Sequence, residues 1–118
     1  MASHNQFGKK AEELACVYLA KNDFQILYSN WRFAHLEIDI ICIKNNLLHF
    51  VEVKARNESE EVRPEEAVTK KKFKFLKTAA EAFLHQYPEY QHVQFDILAI
   101  HFTNGKDATY FFIEDVFL

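Results

Sequence analysis

The sequence predicts a single α/β domain, residues 1–118, in which a mixed central β-sheet is flanked by α-helices. The predicted elements follow the order helix, strand, hairpin, long helix, strand and strand. The predicted strands are rich in Ile, Val and Phe on both faces, which is typical of a sheet covered on both sides. The chain has 118 residues, 49% of them hydrophobic, and only two Gly and two Pro, so it fits one domain without a flexible linker.

The charge and cysteine content restrict the classes of function. The formal net charge of −3 counts against tight non-specific binding to nucleic acid, although it leaves local basic patches open. Cys16 and Cys42 stand in apolar surroundings without metal-ligand spacing, so we expect buried free thiols in a reducing compartment. The sequence shows neither a signal peptide nor an apolar run long enough to span a membrane, which predicts a cytoplasmic protein.

The first predicted helix runs from Phe7 to Asn22, where apolar residues follow helical spacing. Glu12 lies near the rim of its apolar stripe, and by itself it is typical of a solvated acid in the first turns of a helix. A short strand, Phe24 to Trp31, is expected next at the edge of the sheet. Arg32 follows it, either in a surface ion pair or in contact with a phosphate.

Two apolar runs, Leu36–Ile43 and Leu47–Lys54, predict an antiparallel hairpin. Both runs are dominated by β-branched and aromatic residues. The asparagines between them, Asn45 and Asn46, tolerate the positive φ that a two-residue turn requires.

The register of this hairpin brings its charged residues together. With a two-residue turn, Asp39 lies opposite Glu52 and Glu37 lies opposite Lys54, all on one face. Two opposed carboxylates repel each other, and a hard divalent cation offsets that repulsion, because Mg²⁺ takes oxygen ligands from one or two carboxylates. We therefore predict a Mg²⁺ or Mn²⁺ site formed by Asp39 and Glu52, with the carbonyl of Val53 nearby. Lys54 would orient or deprotonate the attacking water.

The stretch Arg56–Glu66 is polar and rich in glutamate, which predicts a solvated loop, with a mobile flap beside the site as the alternative. Arg56 continues the face of Glu52 and is expected to contact phosphate. Pro64 opens a predicted helix that ends near Tyr87. The apolar residues expected on its buried side are Ala67, Val68, Phe75, Leu76, Ala79 and Phe83.

Five lysines cluster near the start of this helix: Lys70, Lys71, Lys72, Lys74 and Lys77. Such a run is usually a solvated helix face that pairs with nearby acids. If the helix packs beside the hairpin, however, some of these lysines would line a path for nucleic acid.

Two further strands are predicted, Val93–Phe102 and Thr109–Ile113, with a turn at Asn104 and Gly105. Asp96 stands in the middle of the first of them. A buried acid needs a partner, so a structural hydrogen bond or ion pair is the expected role of Asp96, with metal ligation as the minor alternative.

Five blocks of the sequence stand in order over nearly the whole chain: Gly8–Glu12, Asn30–Arg32, Glu37–Asp39, Phe50–Arg56 and Phe95–Asp96. Together they resemble the YraN-like family of uncharacterised bacterial proteins. Asp39 followed by Glu52-Val53-Lys54 resembles the D…(D/E)xK core of the restriction-endonuclease-like superfamily, which includes Holliday junction resolvase-like nucleases. The chain departs from the family pattern at Ala11 and Leu36, where glycine is usual.

The resemblance implies a restriction-endonuclease-like fold and a nuclease-like site. It implies that Glu12 reaches the metal site from the first helix and completes or adjusts the metal shell. It matches Lys72 to a family lysine, and it brings Arg32 into consideration as a nucleic-acid contact. Small nuclease domains of this kind often act as homodimers on DNA.

Three functions follow from these observations. The first is a Mg²⁺-dependent endonuclease that hydrolyses phosphodiester bonds in DNA, branched or junction DNA included. The second is a non-catalytic module that binds nucleic acid or protein on a nuclease scaffold. The third is a structural acid cluster, in which Glu37 pairs with Lys54 while Asp39 and Glu52 share a proton.

Overall fold

The computed structural model describes residues 2–57, 70–103 and 107–116, with side chains from residue 8 onward. Within these ranges the chain forms two helices and five strands. Their bounds are α1 Ala2–Lys21, β1 Gln25–Phe33, β2 Leu36–Lys44, β3 Leu47–Asn57, α2 Lys70–Gln86, β4 Val93–Phe102 and β5 Thr109–Ile113.

The strands form one mixed sheet in the order β1-β2-β3-β4-β5. β1, β2 and β3 form an antiparallel meander, β3 and β4 are parallel, and β4 and β5 are antiparallel. Parallel strands require a long crossover connection, and α2 lies in the one between β3 and β4. The predicted single α/β domain with a mixed sheet is confirmed.

The two helices cover opposite faces of the sheet. Ala11, Ala15 and Leu19 of α1 recur at helical spacing and pack on one face, against β-strand residues that include Val51 and Leu98. On the other face, α2 buries Leu76, Ala79, Ala80 and Phe83. Phe83 is the centre of an aromatic cluster formed with Tyr28, Trp31, Phe50, Tyr87 and Tyr90.

The central hairpin has the predicted register. Asn45 and Asn46 have φ angles of 53° and 65°, which close a two-residue turn. Lys44 pairs with Leu47, and the backbone pairs continue to Ile40 and Val51. Because the turn length fixes the register, the local sequence was sufficient to predict it.

Several element bounds differ from the prediction. Helix α1 begins at Ala2 rather than Phe7. Strand β1 continues to Phe33, which pairs with Leu36 across a second tight turn. Ala34 in that turn has a φ of 55°, a conformation that the sequence gives no reason to expect of alanine. The predicted acidic loop, the helix start at Pro64 and the turn at Asn104 and Gly105 involve residues outside the described ranges.

Both cysteines are free thiols, as predicted. Cys42 is buried, whereas Cys16 is partly exposed. Burial, and then the charge of Asp96, raises the pKa of Cys42 to about 12. In the part of the chain that the structure describes, no helix is both long and apolar enough to cross a membrane.

Candidate active site

Asp39 lies where the regular geometry of β2 is interrupted. Ile38 packs in the core beneath α2, whereas Ile40, two residues later, packs beneath α1. Since residues two apart in a regular strand point the same way, the alternation of side chains breaks at Asp39. Beside the last backbone pair, Ile40–Val51, the Asp39 carboxylate accepts a hydrogen bond of 2.8 Å from the Val53 N–H. A side-chain oxygen therefore joins β2 to β3 at this point.

The carboxyl groups of Asp39 and Glu52 come together at this interruption. Glu52 is only 3% exposed. Burial raises the pKa of Asp39 well above its usual range, and the charge of Glu52 and a hydrogen bond between the two carboxyl groups raise it further. The two acids that the hairpin register predicted to be neighbours thus form one electrostatic unit.

Two lysines from different elements neutralise Glu52. Lys54 Nζ lies 3.8 Å from Glu52 Oε2, and Lys72 Nζ of α2 contacts the same oxygen. Burial and then Lys72 lower the pKa of Lys54. Burial alone would lower the pKa of Lys72, but the Glu52 carboxylate raises it above its usual value. The lysine-rich helix therefore does face the acidic pair, through Lys72.

Glu12 reaches the same cluster from α1. Burial is the main cause that raises its pKa, and the charges of Glu37 and Glu52 add to it. A hydrogen bond with the Asn30 side chain and the charge of Arg32 act in the opposite direction. The structure therefore brings Glu12 close enough to the acidic pair for their charges to interact, and its implied part in a metal shell stays a prediction.

The predicted ion pair between Glu37 and Lys54 is wrong. Glu37 pairs directly with Arg32 across β1 and β2, and Arg32 Nη2 lies 3.3 Å from Glu37 Oε2. The interruption at Asp39 explains the difference, because a prediction from regular alternation cannot extend past it. Arg32 thus forms a surface ion pair, one of its two predicted roles, with a side chain that is 74% exposed.

Two cavities open onto Asp39 and Glu52. One has a volume of about 440 Å³ and is also lined by His35, Leu36, Glu37, Lys71, Lys72, Phe75 and Leu76. The other has a volume of about 390 Å³ and is also lined by Gly8, Ala11, Glu12, Val53, Lys54, Ala55, Arg56 and Lys72. The Arg56 guanidinium donates a hydrogen bond of 2.9 Å to the carbonyl of Ala55 in this second cavity. The acidic pair is therefore accessible from both sides of the hairpin.

The donor set suits a hard divalent cation with few protein ligands. Among the residues that the structure describes, no three or more His, Cys, Asp and Glu side chains are arranged to hold a metal ion. Mg²⁺ usually keeps several waters and binds one or two carboxylates together with substrate phosphates. Asp39 and Glu52 supply two carboxylates beside the backbone of Val53. A bound cation would offset both causes that raise the pKa of Asp39 most, the burial of its charge and its repulsion by Glu52.

Asp96 has the structural role that the sequence predicted. His49 Nδ1 lies 2.6 Å from Asp96 Oδ2, and it carries the hydrogen because a carboxylate only accepts. The other oxygen, Oδ1, accepts hydrogen bonds of 2.8 Å from Gln94 Nε2 and from the Asp115 N–H. Because the Asp115 N–H lies in the C-terminal segment, Asp96 connects that segment to β4.

Sequence reasoning missed one contact of the site and left a second one open. The bond between Asn30 and Glu12 has no sequence signal, because α1 and β1 meet only in the folded chain. The contact between Lys72 and Glu52 was left open, since the spacing of lysines on a helix does not say which strand the helix covers.

Comparison with known sequences identifies relatives over most of the chain. Residues 11–100 match the sequence model of Uncharacterised protein family UPF0102. A UPF0102 protein of Flavobacterium johnsoniae is 37% identical over 121 aligned positions, which cover 99% of this chain and 98% of the relative. A UPF0102 protein of Chloroherpeton thalassium is 40% identical over 126 positions, covering 99% and 97%. One from Bacteroides fragilis is 38% identical over 100 residues, covering 85% and 83%.

Proposed function

The chain belongs to Uncharacterised protein family UPF0102, and from the chemistry of its acidic site we propose that it is a metal-dependent endonuclease that hydrolyses phosphodiester bonds in DNA. The observation that carries the proposal is the convergence of Asp39 and Glu52 with Lys54, beside two open cavities. We include in the proposal that the α/β fold is of the restriction-endonuclease-like type, since that type carries its acids and its lysine on a hairpin of this kind.

Each residue of the site has a separate part in this proposal. Asp39 and Glu52, with the backbone carbonyl of Val53, would hold Mg²⁺ or Mn²⁺. When bound, the cation lowers the pKa of the attacking water and neutralises charge at the phosphate. Lys54 orients that water and stabilises the charge that develops on the phosphate as phosphorus gains one oxygen and loses the other. Glu12 orients the solvent around the acids from the side of α1.

Basic residues around the acids would hold the DNA backbone. The side chain of Lys72 extends from α2 to Glu52. Once a cation binds this carboxylate in its place, the Lys72 ammonium would be available to contact a phosphate. Arg56 lines the second cavity, and its guanidinium suits phosphate oxygens. Arg32 is a weaker candidate, because Glu37 already neutralises it.

Metal binding is the first test of the proposal. Mg²⁺ or Mn²⁺ should raise the thermal midpoint of the parent chain, because a ligand that binds the native state stabilises it. Asp39→Asn and Glu52→Gln should each abolish that rise. Glu81→Gln, which changes an exposed acid of α2, is the matched control and should keep it. A parent chain whose midpoint does not respond to either cation would refute the metal site.

Cleavage is the second test. Linear, flapped and four-way DNA are incubated with the chain and Mg²⁺ or Mn²⁺, and nicking is followed on denaturing gels. Lys54→Met should lose about 10²-fold or more in rate, because it removes a group that acts on the reacting atoms. Lys77→Met, on the exposed face of α2, is the control for lost positive charge. Equal nicking by parent and Lys54→Met preparations would attribute the activity to a contaminant.

One observation favours the alternative of a non-catalytic binding module. Lys54 and Lys72 both lie within ion-pair distance of Glu52, so this carboxylate has positive partners without a metal. DNA binding that is equally strong in EDTA and in Mg²⁺, without cleavage, would support this alternative over the nuclease.

A further inference from the structure

The exposed ring of Phe75 lies on the wall of the first cavity. Helical spacing predicted that Phe75 would be buried, and this prediction is wrong, because the residue is 44% exposed. Phe73, two residues earlier, packs on the core with its ring 5.1 Å from that of Phe95. Phe75 belongs to neither core cluster, so α2 directs one aromatic ring to the core and another to the space beside the acids.

Lys71 stands beside this ring. Its Nζ lies 6.0 Å from the centroid of Phe75, one helical turn away, and both residues line the cavity that contains Asp39 and Glu52. Proteins that bind single-stranded nucleic acid combine exposed aromatic rings, on which bases stack, with basic groups that follow the backbone. Next to the acidic pair, Phe75 supplies an exposed aromatic ring and Lys71 supplies a basic group.

The cavity is lined by both apolar and charged side chains, which matches the apolar base and the charged phosphate of a nucleotide. Its volume of about 440 Å³ falls in the usual range for small-molecule sites, about 300–1,000 Å³. Leu36, Leu76 and Phe75 form an apolar wall, whereas Glu52 and Lys71 are charged. A base would meet the apolar wall while a phosphate of the same strand met the ammonium group of Lys71.

We propose that Phe75 stacks on an unpaired base of the DNA strand whose phosphate lies at Asp39 and Glu52, and that Lys71 contacts a neighbouring phosphate. This inference rests on the proposed function and adds the class of substrate. Bases inside a continuous duplex are stacked on each other, so only an unpaired nucleotide presents a face to the ring. The substrate is therefore DNA with a single-stranded segment next to the cleavage point, such as a flap, fork or overhang.

Binding to two labelled probes tests the inference. One is a blunt duplex and the other is the same duplex with a single-stranded thymidine tail, each followed by fluorescence anisotropy in EDTA and in Mg²⁺. The parent chain should bind the tailed probe roughly five- to tenfold more tightly, which corresponds to one base–aromatic stack. Equal affinity for the two probes, or no binding to either, would overturn the inference.

Variants of the ring separate stacking from folding. Phe75→Leu keeps an apolar side chain and should lose the preference for the tail without weakening binding to the blunt duplex. Phe75→Tyr keeps the ring and should retain the preference. Phe111→Leu changes a ring that is equally exposed, at 44%, but lies on β5 and lines neither acidic cavity, so it should have no effect. A Phe75→Leu chain that keeps the preference would contradict the proposal.

A fluorescent base analogue links the contact to the site. 2-Aminopurine placed at the first unpaired position should be quenched when it stacks on Phe75, and Phe75→Leu should remove the quenching. This readout does not depend on cleavage. Tail-dependent binding without any nicking would support this inference and refute the nuclease. Nicking at the same rate with and without the tail, and by the parent and Phe75→Leu chains alike, would support the nuclease and refute this inference.

Discussion

Glu52 and Asp96 are buried acids on adjacent parallel strands, yet they lie in opposite environments. Asp96 is 2% exposed, and both of its oxygens accept hydrogen bonds from donors that the fold holds in place. Glu52 is 3% exposed, but its partners are another carboxyl group, that of Asp39, and the ends of two flexible side chains, Lys54 and Lys72. Burial alone therefore does not distinguish an acid held by fixed donors from one held by mobile charged side chains.

The difference lies in how each charge is compensated. The donors to Asp96 come from β3, β4 and the C-terminal segment, so the carboxylate stabilises their arrangement. Glu52 lies beside a like charge, and its lysines can withdraw into open cavities. An acid that is compensated by mobile side chains can exchange those partners for a cation or a substrate.

The largest expected effect is a loss of stability when Asp96, the acid whose oxygens accept fixed hydrogen bonds, is replaced. Asp96→Ala removes the acceptor of His49, Gln94 and the Asp115 N–H, so it should lower the free energy of unfolding by about 3 kcal/mol. Glu52→Gln should change it by about 1 kcal/mol or less, since the lost ion pairs involve partly exposed lysines. Urea unfolding in EDTA measures both. If Glu52→Gln lowered the free energy of unfolding more than Asp96→Ala does, Glu52 would be the acid that stabilises the fold.

A smaller effect concerns pH. Because the folded state raises the pKa of Asp39 above its unfolded value of about 3.9, its contribution to stability is present at low pH and is lost as the pH rises through the folded pKa. Asp39→Asn keeps an oxygen for the Val53 N–H but carries no charge. It should therefore be more stable than the parent by about 1 kcal/mol at pH 8 and not at pH 4. Unfolding in EDTA across this pH range tests the sign.

A variant that loses stability equally at every pH would show that hydrogen bonding at Asp39 outweighs its charge.

The smallest effect concerns competition for Glu52. Lys72→Met removes the ammonium that contacts this carboxylate, so Mg²⁺ should bind more tightly, by up to about fivefold for a partly exposed pair. Calorimetric titration at constant ionic strength measures the change. Lys77→Met, which removes an exposed lysine of the same helix, should leave the affinity unchanged. A Lys72→Met chain with weaker Mg²⁺ binding would show that Lys72 supports the metal site instead of competing with it.

The prediction of the site was accurate near the turn and failed with distance from it. The asparagine turn fixed the pairs from Lys44–Leu47 to Ile40–Val51, and this was enough to make Asp39 and Glu52 neighbours. Past Asp39 the alternation breaks, so Glu37 pairs with Arg32 and not with Lys54. Helical spacing likewise identified Leu76 and Phe83 as core residues, but it assigned Phe75 to the core when the ring lies at a cavity.

The amino-acid sequence alone determined the elements, the hairpin register and the pairing of two acids, because turn conformation and side-chain alternation are local properties of the backbone. Only the tertiary structure decided which other groups reach those acids. Lys72 and Glu12 arrive from helices on opposite faces of the sheet, and Phe75 is turned toward the cavity by the way α2 packs. These contacts depend on how distant segments pack, which no local pattern of residues encodes.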